Sequence, residues 1–230
     1  MMKMKSYLLM GMILIAGAGM VRGDENPISW DITCEVFSLP LSEAAKLKRL
    51  RKSDAEDYAE LVRRLESGKV VQEEFLMLRA LAGAATTVEE VSEMIYATEY
   101  EPPELPSNIG DLGDDPEKAK QLVTPATPSA FDTKNVGSTM EVKLSKWEEE
   151  DAEIRISLTL VNYLGRQTWG QGLAEGEMPK FAVQKIQTGA KVKADVPELI
   201  GSISPPEVLQ PENGERRVWL AFVTASKAKE

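Results

Sequence analysis

The chain has 230 residues with 37 Asp and Glu against 27 Lys and Arg, and its formal net charge is −10. So acidic a protein repels nucleic-acid phosphates and anionic lipid head groups, which excludes nucleic acid as an expected partner. Histidine is absent from the sequence, which argues against Ser-His-Asp and Cys-His catalysis and against imidazole-based zinc or iron sites. We therefore expect no catalytic residues, no metal site and no cofactor, and we do not expect an enzyme.

The N-terminus predicts export. Lys3 and Lys5 precede an apolar run from Tyr7 to Ala18, and a plausible cleavage site follows at Gly23. This pattern indicates a signal peptide over residues 1–23, whose apolar run is too short to span a bilayer as a helix. Cleavage would remove three basic residues and leave 207 residues with a net charge of −13. No second apolar run of membrane-spanning length follows, so we expect a bacterial periplasmic protein with peripheral or no membrane contact, and outer-membrane association as an alternative.

A strand is predicted at the start of the mature chain. Apolar and polar residues alternate over residues 28–37, a period typical of a strand with one buried face. Cys34 lies in this stretch and is the only cysteine of the sequence. It has no intramolecular disulfide partner, and we expect it to be a small buried side chain.

Two helices are predicted over residues 42–66. Ser42 is expected to cap the first helix, which is short. Ser53 and Glu56 have the spacing of a capping box at the start of the second, in which side-chain oxygens satisfy free amides. Gly68 follows where a left-handed residue commonly ends a helix.

Residues 69–100 fit two interpretations. Val88, Val91 and Met94 have helical spacing behind a Thr87–Glu90 capping box, which favours a helix. The β-rich run over residues 95–100 favours a strand. Periodicity alone does not decide between them.

The composition changes over residues 101–130. Prolines alternate there with glycines and aspartates, which disfavours regular pairing and leaves little apolar surface to offset chain entropy. We expect an exposed Pro-rich, acidic linker. It would separate an N-terminal strand-helix-strand part, residues 24–100, from a C-terminal β part, residues 131–230.

The C-terminal part predicts antiparallel strands, because no crossover helix is expected between them. Ile154, Ile156, Leu158 and Leu160 alternate with polar residues, which places one apolar face on a core. The strands are predicted over residues 135–144, 152–163, 181–194 and 218–225, with an acidic turn at 147–151 and a Gly-rich loop at 165–179. The fold class is therefore α+β, a largely antiparallel β-sheet with one or two N-terminal helices packed on it.

Three local features invite a functional interpretation. The acidic run Glu148–Asp151 could offer oxygen ligands to calcium, but it lacks the loop pattern that wraps the ion, and a solvated turn is favoured. The glycines of residues 170–176 have the wrong spacing for a phosphate-binding loop, so a flexible loop is favoured. Trp147, Tyr163 and Trp169 flank turns, where aromatic residues usually cover a core and sometimes grip a ligand.

Several segments together resemble the bacterial secretins, the outer-membrane proteins of type II and type III secretion systems and of type IV pilus systems. Val136–Val142 resembles the V-G-x-T-L-x-V segment of that family. Gly83 resembles the glycine of the family's S-G-x-x-A motif, and residues 93–100 resemble the strand that leaves the same domain, which favours β structure there. The other similar segments are residues 154–160, 179–192, 199–203 and 217–223.

The resemblance spans roughly residues 28–225 and implies a secretin-like β domain in a short, stand-alone form. It does not extend to repeated periplasmic modules, amphipathic membrane hairpins or a V-P-G-x-G gate. It implies an exported accessory or assembly component of a secretion or pilus system. Such a component would bind protein partners of the cell envelope by strand addition, with self-association as an alternative. The other hypotheses are a periplasmic hydrolase that uses two carboxylates and a free-standing ligand-binding module.

Overall fold

The computed structural model describes residues 29–104, 123–147, 151–212 and 214–228. Within these residues the chain forms eight β-strands and two α-helices. They are β1 (Ser29–Pro40), α1 (Leu41–Arg49), α2 (Asp54–Glu66), β2 (Val71–Leu81), β3 (Ala85–Glu101), β4 (Thr127–Trp147), β5 (Asp151–Trp169), β6 (Gly176–Lys193), β7 (Glu198–Ile203) and β8 (Arg217–Lys227).

The strands form two antiparallel four-stranded sheets. Sheet A has the order β2-β1-β8-β7, and sheet B has the order β3-β4-β5-β6. Each sheet combines strands from both sides of the Pro-rich segment. The α+β fold class is confirmed, with two sheets in place of one. The limits of the three predicted parts, 24–100, 101–130 and 131–230, stay a prediction.

The main core lies between the two sheets. Strand β5 contributes Ile154, Ile156, Leu158 and Leu160, which are all at most 3% exposed, while the residues between them point away from this core. The predicted alternation is confirmed. Sheet A contributes the even-numbered residues of β1, among them Cys34, so this core is built from the period-two pattern of both sheets.

A second core lies between sheet A and the helices. Phe37 of β1 and Phe222 of β8 both make edge-to-face contacts with Tyr58 of α2, at ring-centroid distances of 5.7 Å. Strand β8 is therefore buried on both faces, which explains its nearly continuous apolar sequence. The predicted packing of N-terminal helices on the sheet is confirmed. Neither described helix is long and apolar enough to cross a membrane.

The helix boundaries follow the predicted caps at two of three places. Ser53 accepts a hydrogen bond from the amide of Glu56, whose side chain accepts one from the Ser53 amide, so the capping box is confirmed. Gly68 has φ +71°, as expected of a left-handed terminator. The Ser42 cap is wrong: the N-cap is Pro40, and the Ser42 amide donates to the carboxylate of Glu215.

Residues 69–100 contain the strands β2 and β3, joined by a short turn, and no helix. Strand β3 pairs with β4 along its length, and Val88 packs against the core between the sheets. The helical alternative with a Thr87–Glu90 capping box is therefore wrong. In the extended strand Val88 is partly buried against the core. The spacing of Val88, Val91 and Met94 fits a helix equally well, so the sequence alone did not distinguish the two structures.

Two predicted irregular segments are partly strand. The predicted loop at 165–179 is wrong at both ends, because β5 continues to Trp169 and β6 begins at Gly176, with a register shift between Tyr163 and Arg166. In the Pro-rich segment, pairing reaches Glu101 of β3 and Thr127 of β4, so its predicted lack of pairing is wrong there. Residues 105–122 lie outside the described residues, as do the predicted signal peptide and residues 148–150.

Candidate protein-binding edges

Four strands lie at the margins of the two sheets: β2 and β7 in sheet A, and β3 and β6 in sheet B. An edge strand presents a row of backbone N–H and C=O groups without a partner on its outer side, and it can accept a strand from another chain. Strand β7 has six residues, whereas β3 has 17 and β6 has 18. The edges of sheet B are thus the longest sites for strand addition in the described fold.

The two edges of sheet B carry opposite charge. The described acidic residues of β3 are Glu89, Glu90, Glu93, Glu99 and Glu101, and this strand has no Lys or Arg. Strand β6 has one acidic residue, Glu177, and four lysines, which are Lys180, Lys185, Lys191 and Lys193. We call these strands the acidic edge and the basic edge.

Among the described residues, the acidic edge and the basic edge contact each other only near one end of the sheet. The Tyr100 hydroxyl donates a hydrogen bond of 2.6 Å to the carbonyl oxygen of Glu177. The rings of Tyr96 and Phe181 lie 5.7 Å apart. Elsewhere β4 and β5 separate the edges, a span of about 14 Å at the usual strand spacing. The parts of the edges left for a partner are residues 85–93 and 185–193.

An acidic cleft lies where the edge of sheet A passes over sheet B. Glu74 of β2 enters the space between the sheets, and the Ser138 hydroxyl of β4 donates to its Oε1 atom at 2.7 Å. Glu90 of β3 lines the same cleft, whose volume is about 470 Å³. Burial raises the pKa of Glu74, and the charges of Glu90 and Glu73 raise it further.

A carboxylate cluster ties the helices to sheet A. Lys48 of α1 lies 2.9 Å from Asp54 and 2.7 Å from the buried Asp57, both of α2. Asp54 also accepts a hydrogen bond from the Leu199 amide of β7. Burial, followed by the charge of Asp54, raises the pKa of Glu198. These carboxylates are engaged in holding three elements together. In the described ranges, no three Cys, Asp or Glu side chains could hold a metal ion.

Cys34 is a core side chain, as predicted. It is fully buried between the sheets. Burial raises the pKa of its thiol to about 12, with smaller contributions from Glu35 and Glu74. The thiolate is the form that acts as nucleophile and metal ligand, and burial disfavours it at Cys34.

The other features singled out in the sequence are not brought together. Tyr163 contacts Phe181 across the β5–β6 pair at a centroid distance of 6.1 Å. Trp169 is 56% exposed at the end of β5, and the side chain of Trp147 lies outside the described residues. Residues 170–175 form the turn of a β-hairpin and lead into β6, so a phosphate-binding loop, which needs a helix after it, is not formed. Asp151, the last residue of the acidic run Glu148–Asp151, is the first residue of β5.

The opposite charge of the two edges was not predicted. The signal was present in the sequence, because the β3 stretch has acidic residues and no basic ones. It could be used only with the correct strand limits and order, since the edge strands of a sheet are set by long-range pairing.

Comparison with known proteins gives structural matches. No protein-family model matches the sequence, and no curated protein matches it significantly. The structural matches include the secretin-domain β-barrel of InvG from the Salmonella SPI-1 injectisome, at 10% identity, 90% coverage of this chain and TM-score 0.49. They also include the type IV competence pilus secretin PilQ of V. cholerae, at 11% identity, 90% coverage and TM-score 0.48. The type II secretin GspD of enteropathogenic Escherichia coli matches at 10% identity, 90% coverage and TM-score 0.46.

This chain spans 65% of the InvG chain, 62% of the PilQ chain and 71% of the GspD chain. These matched structures are secretin domains, the family that the sequence segments resemble.

Proposed function

We propose that this protein is an exported, non-enzymatic, secretin-like component of a type II or type III-like secretion system or of a pilus system. It acts in the periplasm, with outer-membrane association as an alternative, and binds envelope proteins by adding strands to its sheet edges. The secretin-like sequence segments support the family part of the proposal. The observation that carries the binding part is the pair of long, oppositely charged edges of sheet B.

The charges of these edges favour one arrangement of two copies. Pairing two β3 edges would bring Glu89, Glu90 and Glu93 against the same residues of the other copy, and like charges on adjacent strands are destabilising. Pairing two β6 edges would oppose lysines in the same way. Pairing the acidic edge of one copy with the basic edge of the next removes both repulsions. Such a contact is heterologous and can repeat into a ring or a filament.

The proposal is tested by photo-crosslinking in cells. A photoreactive amino acid replaces Glu89 on the acidic edge, Lys185 on the basic edge, or Glu66 on α2 as the control, and the cells are then fractionated. All three side chains are exposed, so each substitution is expected to preserve the fold.

We expect the protein in the envelope fraction and covalent protein adducts from positions 89 and 185 that are missing from position 66. Retention of the protein in the cytoplasm would contradict the export part of the proposal. The same adducts from all three positions would contradict binding through the edges.

A further inference from the structure

A third surface for strand addition lies on β2, the edge strand of sheet A. Its register against β1 is regular from Glu74 to Leu81 and shifts at Glu73, because Val36 pairs with Glu74 and Phe37 pairs with Gln72. Glu73 is therefore the extra residue of a bulge, which ends regular pairing. Eight residues, 74–81, remain as a continuous free edge.

One face of this edge is apolar and uncovered. Phe75, Met77 and Leu81 are 57%, 50% and 45% exposed, and they alternate with Leu76, Leu78 and Ala80, which are buried against sheet B. Arg79, on the same outward face, is engaged by Asp31 of β1 through bonds of 2.7 and 3.1 Å. The helices pack on this same outer face of sheet A, but over β8, β7 and the end of β1, and they leave Phe75, Met77 and Leu81 of β2 uncovered.

The other face of the same edge opens into the acidic cleft. Glu73, Glu74, Phe75 and Glu90 are among the residues that line this cleft. None of these three carboxylates has a cationic partner among the described residues. Because side chains alternate between the faces of a strand, a strand paired with β2 would place one set of side chains beside Phe75 and Met77 and the other set over the cleft.

We propose that β2 binds an extended segment of a partner protein whose residues alternate between apolar and basic. The apolar residues cover Phe75, Met77 and Leu81, and a lysine or arginine reaches Glu74 and Glu90 with its charged end while its stem covers the cleft wall. Backbone pairing provides general affinity, and the two faces select the sequence. This inference deepens the proposed function, since it names the chemistry of one partner, and it rests on strand addition as the binding mode.

The experiment uses the full mature chain and two labelled eight-residue peptides. The probe alternates valine and lysine; the control peptide has the same composition with four lysines followed by four valines. The control carries the same charge but cannot separate the charged and apolar side chains onto two faces. Affinities are measured by fluorescence anisotropy, and the bound site by hydrogen exchange of the β2 amides.

We expect the alternating peptide to bind about tenfold more tightly than the control and to protect amides of β2. Glu74→Gln should weaken binding about tenfold, as expected when a partly buried charge pair loses one partner. Glu66→Gln removes the same charge from α2 and should change binding less than about twofold. Phe75→Thr should also weaken binding, whereas Val208→Thr, at a position that is 60% exposed, should not.

Equal affinity for the two peptides, equal effects of Glu74→Gln and Glu66→Gln, or protection confined to β3 and β6 would overturn the inference. Absence of binding by the alternating peptide would overturn it as well. None of these results bears on self-association through the edges of sheet B, which is measured without peptide. Failure here is therefore distinguishable from failure of the proposed function.

Discussion

The Ser138 hydroxyl of β4 donates a hydrogen bond of 2.7 Å to the carboxylate of Glu74 on β2, across the gap between the two sheets. Burial raises the pKa of Glu74, this hydrogen bond opposes the rise, and the charges of Glu90 and Glu73 add to it. Because the pKa of Glu74 is higher in the folded state, protonation of this carboxyl favours folding. That contribution to the free energy of unfolding is complete below the unfolded pKa, which is about 4.3 for Glu. That contribution is lost as the pH rises through the folded pKa.

Glu74→Gln removes this titration and keeps an oxygen that can accept from Ser138. We expect the variant to gain stability relative to the parent as the pH rises from about 4 to 7, by about 1 kcal/mol or less because the side chain is only half-buried. Denaturant unfolding of both proteins across this pH range measures the difference. Parallel stability curves for the two would show that Glu74 titrates alike in the folded and unfolded chains.

Gly137 of β4 is expected to tolerate no side chain. Its φ is +133°, and a Cβ atom there would lie 2.1 Å from the carbonyl oxygen of Glu90. Gly137→Ala should therefore lower the free energy of unfolding by about 2 kcal/mol or more. Gly189→Ala is the control, because its Cβ would meet only the Ile154 carbonyl oxygen at 3.7 Å. Similar effects of both substitutions in thermal or denaturant unfolding would contradict the close approach of β3 and β4.

Leu158 and Thr159 are neighbours on β5 that point to opposite faces of sheet B. Leu158 is 1% exposed in the core between the sheets, so Leu158→Ala should cost about 2–5 kcal/mol. Thr159 lies on the outer face, and Thr159→Ala should cost under about 0.5 kcal/mol. Urea titration of the two variants checks this, and equal costs would indicate that the outer face of sheet B is covered.

Ser53 and Ser42 stand near the starts of the two helices, and only Ser53 caps one. Ser53→Ala should lower stability by about 1 kcal/mol, because it leaves the Glu56 amide without its acceptor. Ser42→Ala should have little effect, since α1 has no side-chain cap and the Ser42 backbone amide, which donates to Glu215, is retained. A loss at position 42 as large as that at position 53 in urea titration would contradict this description of the two caps.

Local signals predicted the elements that depend on local contacts. Ser53, Glu56 and Gly68 fixed the second helix because caps and left-handed glycines act within one turn. The alternation over β5 was visible because one face of sheet B is exposed. Strand β3 was ambiguous, since Val88 reaches the core only through pairing of β3 with a strand that lies about fifty residues away in the sequence.

The sequence predicted the mode of binding but not which strands form the candidate binding site. Strand addition was expected from the resemblance to the secretins, but the edges that carry it depend on strand order, which the sequence did not reveal. A Gly-rich loop was expected over residues 165–179, yet its two end residues, Gly165 and Pro179, lie in strands. Pro179 is tolerated because β6 is an edge strand, where a missing N–H need not interrupt a ladder.

Sedimentation velocity of the mature chain tests the central claim, association of the acidic edge with the basic edge. We expect concentration-dependent self-association at about 50 mM salt that weakens at about 500 mM, where screening is stronger. Lys185→Glu and Glu89→Lys should each associate more weakly alone, and an equimolar mixture of the two should recover association, because the altered edges then complement each other. A chain that stays monomeric at low salt, or a mixture that associates no better than either variant, would contradict the account.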